Sequence, residues 1–248
     1  MSFKAIVQRI HLWTGLILGA QVLLWMASGV IMSWFHIELV RGETNSVPAT
    51  PPELEATAYA SPGGVIAQTD GATSLELRTF EGRPVYEVTD INGIALFNAR
   101  TGDRLAPISE ETARRVAQND YSGDAKIVKS ALMSDPPHEY RRDKPVWRVD
   151  FDDGLHTRIY VSRLTGEVAS RRNDIWRVYD FFWMLHIMDY GERTNFNNWF
   201  VKIASAAGLI FAISGMIIVV WRLQRGRYAN DLTLVVGKKA HKQKRAEP

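Results

Sequence analysis

The sequence predicts an α+β membrane protein in which two transmembrane helices flank a duplicated extracytoplasmic domain, each unit of which is a helix plus an antiparallel sheet. Three observations support this fold class. Residues 10–37 and 203–221 carry no charged side chain. The chain between these runs is polar and repeats part of its own pattern. Residues 37–197 hold 25 acidic and 19 basic residues, whereas the two ends together hold 2 acidic and 11 basic residues.

The whole-chain averages conceal this division. The 248 residues have a formal net charge of +3 and a mean hydropathy of −0.14, values typical of a mildly basic soluble protein. A nucleic-acid-binding domain carries its positive charge on the folded part, so a net negative central region argues against a nucleic-acid partner. The sequence has no cysteine, which excludes disulfides, thiolate nucleophiles and cysteine-ligated metal centres.

The first predicted transmembrane helix covers residues 11–36, which exceeds the roughly 20 apolar residues that a bilayer requires. Trp34 lies near its end, where an interfacial aromatic residue is expected. A cleaved signal peptide is the alternative. The apolar stretch is longer than the roughly 7–15 residues of a signal-peptide core and continues through residues 27–29 without a polar break. We therefore expect an uncleaved anchor.

The second predicted transmembrane helix covers residues 197–222, with Trp199 and Trp221 near its two ends. Its single early charge, Lys202, can extend along the helix to the membrane surface. A pair of buried helices in a soluble protein is the alternative, but two long charge-free runs bounded by tryptophan favour a membrane.

The distribution of lysine and arginine predicts the orientation, because cytoplasmic flanks are enriched in both. Lys4 and Arg9 lie in the N-terminal segment, residues 1–10, and eight basic residues follow from Arg222 into the tail, residues 223–248. Both termini are therefore expected in the cytoplasm, with the central domain in the periplasm of a bacterium and the helices in its inner membrane. The basic tail either binds anionic lipid or is solvated and disordered.

The central region begins with a linker, residues 37–60, that contains a proline-rich stretch suited to a spacer. Beyond it the sequence repeats two short patterns. The repeated patterns are residues 84–88 with 145–149, and residues 97–103 with 161–167. Alternating apolar and polar residues predict strands, and Thr-Gly followed by an acidic residue predicts the turn between them.

The repeats define two units, residues 61–108 and residues 109–172. Each is expected to begin with a short helix and continue as an antiparallel sheet of three or four strands. In the second unit, Ser109 is positioned to cap a helix that runs to Asn119. After the units, residues 173–196 are expected to form a juxtamembrane aromatic helix, over residues 174–190, and a connector.

These features together resemble the PepSY-associated transmembrane family of bacterial inner-membrane proteins. The matching residues are HLWTGL at 11–16, the two Thr-Gly-acid turns, LHIMDY at 185–190 and Ser-Gly at 214–215. The resemblance implies that both units are PepSY-like. Larger four-span relatives include haem-containing reductases of ferric siderophores, and soluble PepSY units accompany proteases as inhibitory or chaperone-like modules. The family therefore implies two different functions.

Histidines are the candidate ligands for a haem b iron, because a neutral imidazole nitrogen binds that metal well. His11 and His36 bracket the first span, about 38 Å apart along a helix, so the two cannot share one iron. On the outer side, His36 and His186 are expected either to ligate one haem together or to be interfacial histidines with hydrogen bonds to backbone or lipid.

On the inner side, His11, Gly15 and Gly19 recur every four residues and share a helix face. This face is either a flat groove for a porphyrin or a surface of small residues for helix packing. His241, in the tail, is the only other histidine on that side. An inner haem with two histidine ligands therefore needs a second chain, and we expect a homodimer.

A second candidate site is the cluster of Tyr140, Arg141 and Arg142 with Lys144 beside the Pro136-Pro137 loop. This cluster either receives an anionic iron chelate or is a solvated charged loop. His138 and His156 are expected to be ordinary residues of the domain. The sequence contains no hydrolase, metalloprotease, P-loop or dinucleotide-binding motif.

Two functions follow. The first is a haem-binding electron-transfer protein in the lipid bilayer that reduces a periplasmic ferric siderophore, in the manner of a ferric-chelate reductase. The alternative is a non-enzymatic, membrane-anchored PepSY module that binds a periplasmic protein partner.

Overall fold

The computed structural model describes residues 2–47 and 59–224, and the chain divides into two compact units. The spanning unit comprises Met1–Met32 and Phe182–Pro248, and the sheet domain comprises Ser33–Phe181. The secondary-structure elements in chain order are α1 (Phe3–Trp34), α2 (Ile37–Arg41), α3 (Pro62–Ile66), β1 (Ser74–Phe80), β2 (Arg83–Asp90), β3 (Gly93–Asn98), α4 (Glu110–Asp120), β4 (Ile127–Met133), β5 (Val146–Phe151), β6 (Arg158–Ser162), β7 (Val168–Arg172), α5 (Asp174–Ile187) and α6 (Trp199–Gln224).

Helices α1 and α6 are long and apolar enough to cross a membrane, by length and composition. Helix α1 begins at Phe3, about two turns before the predicted span, and ends at Trp34. Helix α6 begins and ends two residues later than predicted. The predicted fold class is confirmed in its main features, because apolar helices lie at both ends of the chain and antiparallel sheets lie between them.

The first half of the sheet domain is α3 followed by the three-stranded antiparallel sheet β1-β2-β3. Strand β2 is central, with Leu77 opposite Tyr86 on one side and Phe97 opposite Tyr86 on the other. Val88 and Phe97 are fully buried beneath Val65 of α3 in one apolar cluster. The predicted turn after β3 is present, and Gly102 supplies its positive φ of 81°.

The second half is α4 followed by the four-stranded antiparallel sheet β4-β5-β6-β7. The Ser109 hydroxyl accepts the Thr112 N–H at 3.2 Å, so the predicted helix cap is confirmed. Ala113 and Ala117 let α4 pack closely against the sheet, and a larger apolar core surrounds them. Both halves thus have the expected order of a helix and an antiparallel sheet, and their origin by duplication stays a prediction.

Residues 37–47, at the start of the predicted linker, are folded against the sheet domain. The Val47 N–H donates to the Asp120 carbonyl at 2.8 Å, and the Ser122 N–H donates to the Asn45 carbonyl at 3.0 Å. The rest of the proline-rich stretch, residues 48–58, lies outside the described residues. The basic tail from residue 225 onward, including His241, lies outside them as well.

The predicted juxtamembrane helix is present as α5 but ends at Ile187 instead of residue 190. Met188 has a φ of 53°, and this left-handed conformation stops the helix. The connector then folds around Asp189, whose carboxylate accepts the N–H groups of Thr194 and Asn195, each at 2.9 Å. Asn198 caps the start of α6 by accepting the Val201 N–H at 3.0 Å.

Candidate functional site

Two serine–histidine pairs form polar contacts between the helices of the spanning unit. Ser28 on α1 is 1% exposed and Ser214 on α6 is 5% exposed, each within an otherwise apolar helix. The Ser214 hydroxyl contacts the ring of His11, and the Ser28 hydroxyl contacts the ring of His186. His11 and His186, which belong to the family motifs at 11–16 and 185–190, therefore each contact a buried hydroxyl group.

The pair of His11 and Ser214 lies where α1 packs against α6. His11 Nδ1 lies 3.1 Å from Ser214 Oγ and 3.3 Å from the Phe211 carbonyl oxygen. The imidazole also stacks on the Phe211 ring, with centroids 4.3 Å apart and planes 6° apart. Both the orientation of the ring and its distance from α6 are thereby fixed.

Two glycines permit this close packing. A Cβ on Gly215 would lie 3.0 Å from His11 Cε1, and a Cβ on Gly15 would lie 2.7 Å from Phe211 Cε2. At Gly19 no atom of the described chain lies within 4 Å of such a Cβ. The predicted small-residue face therefore packs against another helix at Gly15, where Phe211 fills the space, and is open at Gly19.

The hydrogen-bond partners assign the tautomer of His11. A carbonyl oxygen only accepts, so the contact with the Phe211 carbonyl requires a proton on Nδ1. The Ser214 hydroxyl donates to the same carbonyl at 2.8 Å, which leaves its oxygen to accept from the ring. With its proton on Nδ1, a neutral imidazole has an unprotonated Nε2, and this is the form that can ligate a metal.

The pair of Ser28 and His186 is compatible with the same tautomer. His186 Nδ1 lies 3.1 Å from Ser28 Oγ, and the Ser28 hydroxyl donates to the Leu24 carbonyl at 2.7 Å. With its proton on that carbonyl, the serine oxygen is available to accept a ring N–H. In addition, the Trp25 indole N–H donates to the His186 carbonyl at 2.7 Å, so α1 holds both the ring and the backbone of this residue.

The two pairs lie at opposite ends of the span. His11 and Ser28 are 17 residues apart on one helix, which is about 26 Å and close to the roughly 30 Å of a hydrocarbon core. His11 and His186 therefore cannot ligate the same iron. Each level holds one imidazole, and no cluster of three or more metal-binding side chains occurs among the described residues.

His36 belongs to the sheet domain, where it precedes α2 at the N-cap position and is exposed. Its predicted pairing with His186 stays a prediction. In the same domain, His156 is 75% exposed at the side chain and lies 2.7 Å from Asp174 Oδ2, and His138 contacts Arg141 at 3.1 Å.

The loop cluster of Tyr140, Arg141, Arg142 and Lys144 was predicted either to bind an anionic chelate or to be solvated. Tyr140 does not fit a solvated loop. Tyr140 is only 5% exposed, stacks on Tyr160 and donates its hydroxyl to the Asp143 carbonyl at 2.8 Å. The expectation of a solvated loop is wrong for this residue, because its ring is part of the apolar core. Arg141 forms an ion pair with Asp180 at 2.8 Å, whereas Arg142 is exposed.

A buried charge network in the sheet domain was not anticipated from the sequence. Glu139 accepts hydrogen bonds from Tyr160 at 2.7 Å, Arg158 at 2.9 Å and Arg177 at 3.0 Å. Burial alone would raise the pKa of Glu139, but these donors together lower it below its ordinary value. Because Arg177 lies on α5, the network fixes the first half of that helix to the sheet.

Two apolar helices around an α+β domain define a membrane protein with a folded domain between its spans. The comparison with family models is consistent with this class. Residues 8–246 match the PepSY-associated TM region, so the chain belongs to that family. No curated protein matches the chain, and no solved structure does.

Proposed function

We propose that the protein binds haem b and transfers electrons across a bacterial inner membrane, with both termini in the cytoplasm and the sheet domain in the periplasm. The observation that carries the proposal is the hydrogen bonding of His11 and His186. Nδ1 of each ring lies 3.1 Å from a buried serine hydroxyl. A proton on Nδ1 that is donated to this serine would leave Nε2 with a lone pair for a metal.

This arrangement matches the way proteins prepare histidine ligands. A ligating imidazole usually donates its other N–H to a fixed acceptor, which sets the tautomer and the direction of the ring. Ser214 does this at the inner level, with Phe211 stacked on the same ring, and Ser28 does it at the outer level. Haem, when bound, supplies one-electron redox chemistry. The protein contributes two ligand positions near opposite membrane faces.

The second histidine for an inner haem would come from a second copy of the chain in this proposal. A two-fold axis along the membrane normal would bring the same histidine of both copies to one level. Gly19 on α1 and Gly208 on α6 have open space where a Cβ would point, which permits close approach of another helix. At the outer level, His36 is the other candidate partner of His186.

The proposed electron acceptor is a ferric siderophore outside the membrane, on family analogy. Arg142 is an exposed cation of the loop cluster that can meet an anionic chelate, whereas Arg141 pairs with Asp180 and Lys144 pairs with Asp135.

The alternative is a membrane-anchored module that binds a periplasmic protein. One observation favours it: the ring of His11 also packs α1 against α6, a role that needs no cofactor. In that case the helices anchor the domain, and the serine contacts only stabilise the helix pair.

A visible spectrum distinguishes the two functions. The full-length protein is purified in mild detergent from haem-replete cells, and oxidised and dithionite-reduced spectra are recorded. We expect Soret and α-bands, with part of the haem lost in His11→Ala and part in His186→Ala. His156→Ala, in the sheet domain, is the matched control and retains the full spectrum. Absence of the bands from the unmodified protein would exclude haem and favour the partner-binding module.

A further inference from the structure

Three positions in the first half of α5, residues 174–181, depart from the amphipathic pattern expected for a helix on a soluble domain. Asp180 is 4% exposed, whereas Val178 is 47% exposed and Phe181 is 48% exposed. A helix packed on a water-soluble domain buries its apolar side and exposes its charges. Here the carboxylate faces the domain, and two large apolar side chains three residues apart face outward.

Polar side chains of α5 form hydrogen bonds and ion pairs with the sheet domain. Arg141 donates to Asp180 at 2.8 Å, and Arg177 donates to the buried Glu139 at 3.0 Å. Asn173 accepts the Trp176 N–H at 2.7 Å, which fixes the start of the helix. These contacts determine the rotation of α5 about its axis, so Val178 and Phe181 cannot turn inward without breaking them.

The same helix leads directly to a membrane-spanning segment. Five residues after Phe181, His186 contacts Ser28, which lies about 9 Å before the end of α1 at Trp34. The C-terminal end of α5 is therefore beside the apolar part of α1.

The segment that follows α5 also exposes large aromatic side chains. Tyr190 is 47% exposed, Phe196 is 56% exposed and Trp199 is 75% exposed. Aromatic residues that project from helix ends in this way are typical of the water–bilayer interface. The exposed apolar side of α5 is thus continuous along the chain with residues suited to lipid.

We propose that Val178 and Phe181 contact the interfacial region of the bilayer and that α5 is a membrane-interfacial helix. Its polar side holds the sheet domain through Asp180 and Arg177, and its apolar side lies in lipid. The proposal does not depend on haem, because it rests on exposure and ion pairing in the sheet domain.

The absence of cysteine makes a direct test possible. Single cysteines are introduced as Val178→Cys and Phe181→Cys, and a nitroxide is attached to the full-length protein in phosphatidylcholine–phosphatidylglycerol nanodiscs. Ile91→Cys and Val128→Cys are matched controls, because both native residues are apolar, belong to the same domain and are 77% and 62% exposed. Power saturation then measures the access of oxygen, which partitions into lipid, and of a polar nickel chelate.

We expect the labels at 178 and 181 to be several-fold more accessible to oxygen than to the nickel chelate, and the two controls to show the opposite preference. A label at 178 as accessible to the chelate as the one at 91 would overturn the proposal. Low access of both reagents at 178 would overturn it as well, because protein rather than lipid would then cover the helix. Circular dichroism of each variant verifies the fold, and Val178→Cys alone is sufficient if Phe181→Cys disturbs it.

Discussion

The Ser28 hydroxyl oxygen lies 3.1 Å from Nδ1 of His186, although the two residues are 158 positions apart in the chain. The contact joins α5 to α1 at a depth where few other polar groups are available. A hydroxyl in that position satisfies the ring N–H and selects which imidazole nitrogen is left for another partner.

Removal of the Ser28 hydroxyl is expected to destabilise the outer pair. Ser28→Ala leaves the His186 N–H without its acceptor, at a cost of about 1 kcal/mol for a hydrogen bond between membrane helices. The unfolding free energy in detergent measures the loss. Ser205→Ala, on the exposed side of α6, is the matched control and is expected to have no effect. Equal stabilities of the two variants would show that the Ser28 contact has no energetic role.

The two glycines of α1 are expected to respond differently to a methyl group. In Gly15→Ala the new Cβ would lie 2.7 Å from the Phe211 ring, which must then move off His11, and we expect a loss of about 1–3 kcal/mol. Gly19→Ala meets no atom of the described chain and gains helix propensity, so the stability of the helix pair is expected to be unchanged or increased. Thermal unfolding followed by circular dichroism compares the two variants. A larger loss at Gly19 would contradict the packing described here.

Neutralisation of Glu139 is expected to weaken the sheet domain. Glu139→Gln removes the charge that faces Arg158 and Arg177 and leaves both cations without this partner, at a cost of about 3 kcal/mol. Chemical unfolding of the full-length protein, followed by tryptophan fluorescence, measures the change. Glu192→Gln, on the exposed connector, is the control for a change in charge alone. A similar small effect of both substitutions would contradict a stabilising role of the network.

The same carboxylate predicts how stability depends on pH. Because the pKa of Glu139 is lowered in the folded protein, its contribution is complete above the unfolded pKa of about 4.3 and is lost as pH falls through the folded pKa. We therefore expect the unfolding free energy to decrease below about pH 4. The decrease should be smaller in Glu139→Gln. An unchanged slope in that variant would assign the acid sensitivity to other carboxylates.

Asp189 is expected to hold the connector before α6. The backbone N–H of Asn195 has the largest effect in lowering the pKa of Asp189, and other N–H groups of the loop add to it. In Asp189→Ala the amides of Thr194 and Asn195 lose their acceptor, so their hydrogen exchange should accelerate about tenfold or more. Glu192→Ala is the matched control in the same loop. Unchanged exchange in both variants would mean that the loop is held by other contacts.

Sequence patterns predicted the elements whose signals are local. Charge-free runs located α1 and α6, the Ser109 cap located α4, and Thr-Gly turns located the hairpins that contain Gly102 and Gly166. The end of α5 was placed three residues too late, because a left-handed methionine at 188 has no sequence signature. Glycine or asparagine is the usual signal for that conformation.

The candidate site was only half predictable for a different reason. The histidines stand out in the sequence because imidazole is rare in an apolar run, whereas Ser28 and Ser214 are small residues with no signal of a histidine partner. A hydroxyl becomes a partner only when another helix brings a ring beside it, and single-sequence patterns do not contain that pairing. The burial of Tyr140 and the network around Glu139 likewise depend on strands distant in sequence.

Helix α1 runs without interruption from Phe3 to Trp34 and contains no proline or other break. It carries His11 near one end and the acceptor for His186 near the other. Each residue of an α-helix advances the chain by about 1.5 Å and turns it by about 100°. One end of a rigid helix therefore cannot rotate or slide against its neighbours while the other end stays in place. The rotation of α1 at one end is therefore coupled to its rotation at the other. Any screw motion of α1 would break the contacts of His11 and His186 at the same time.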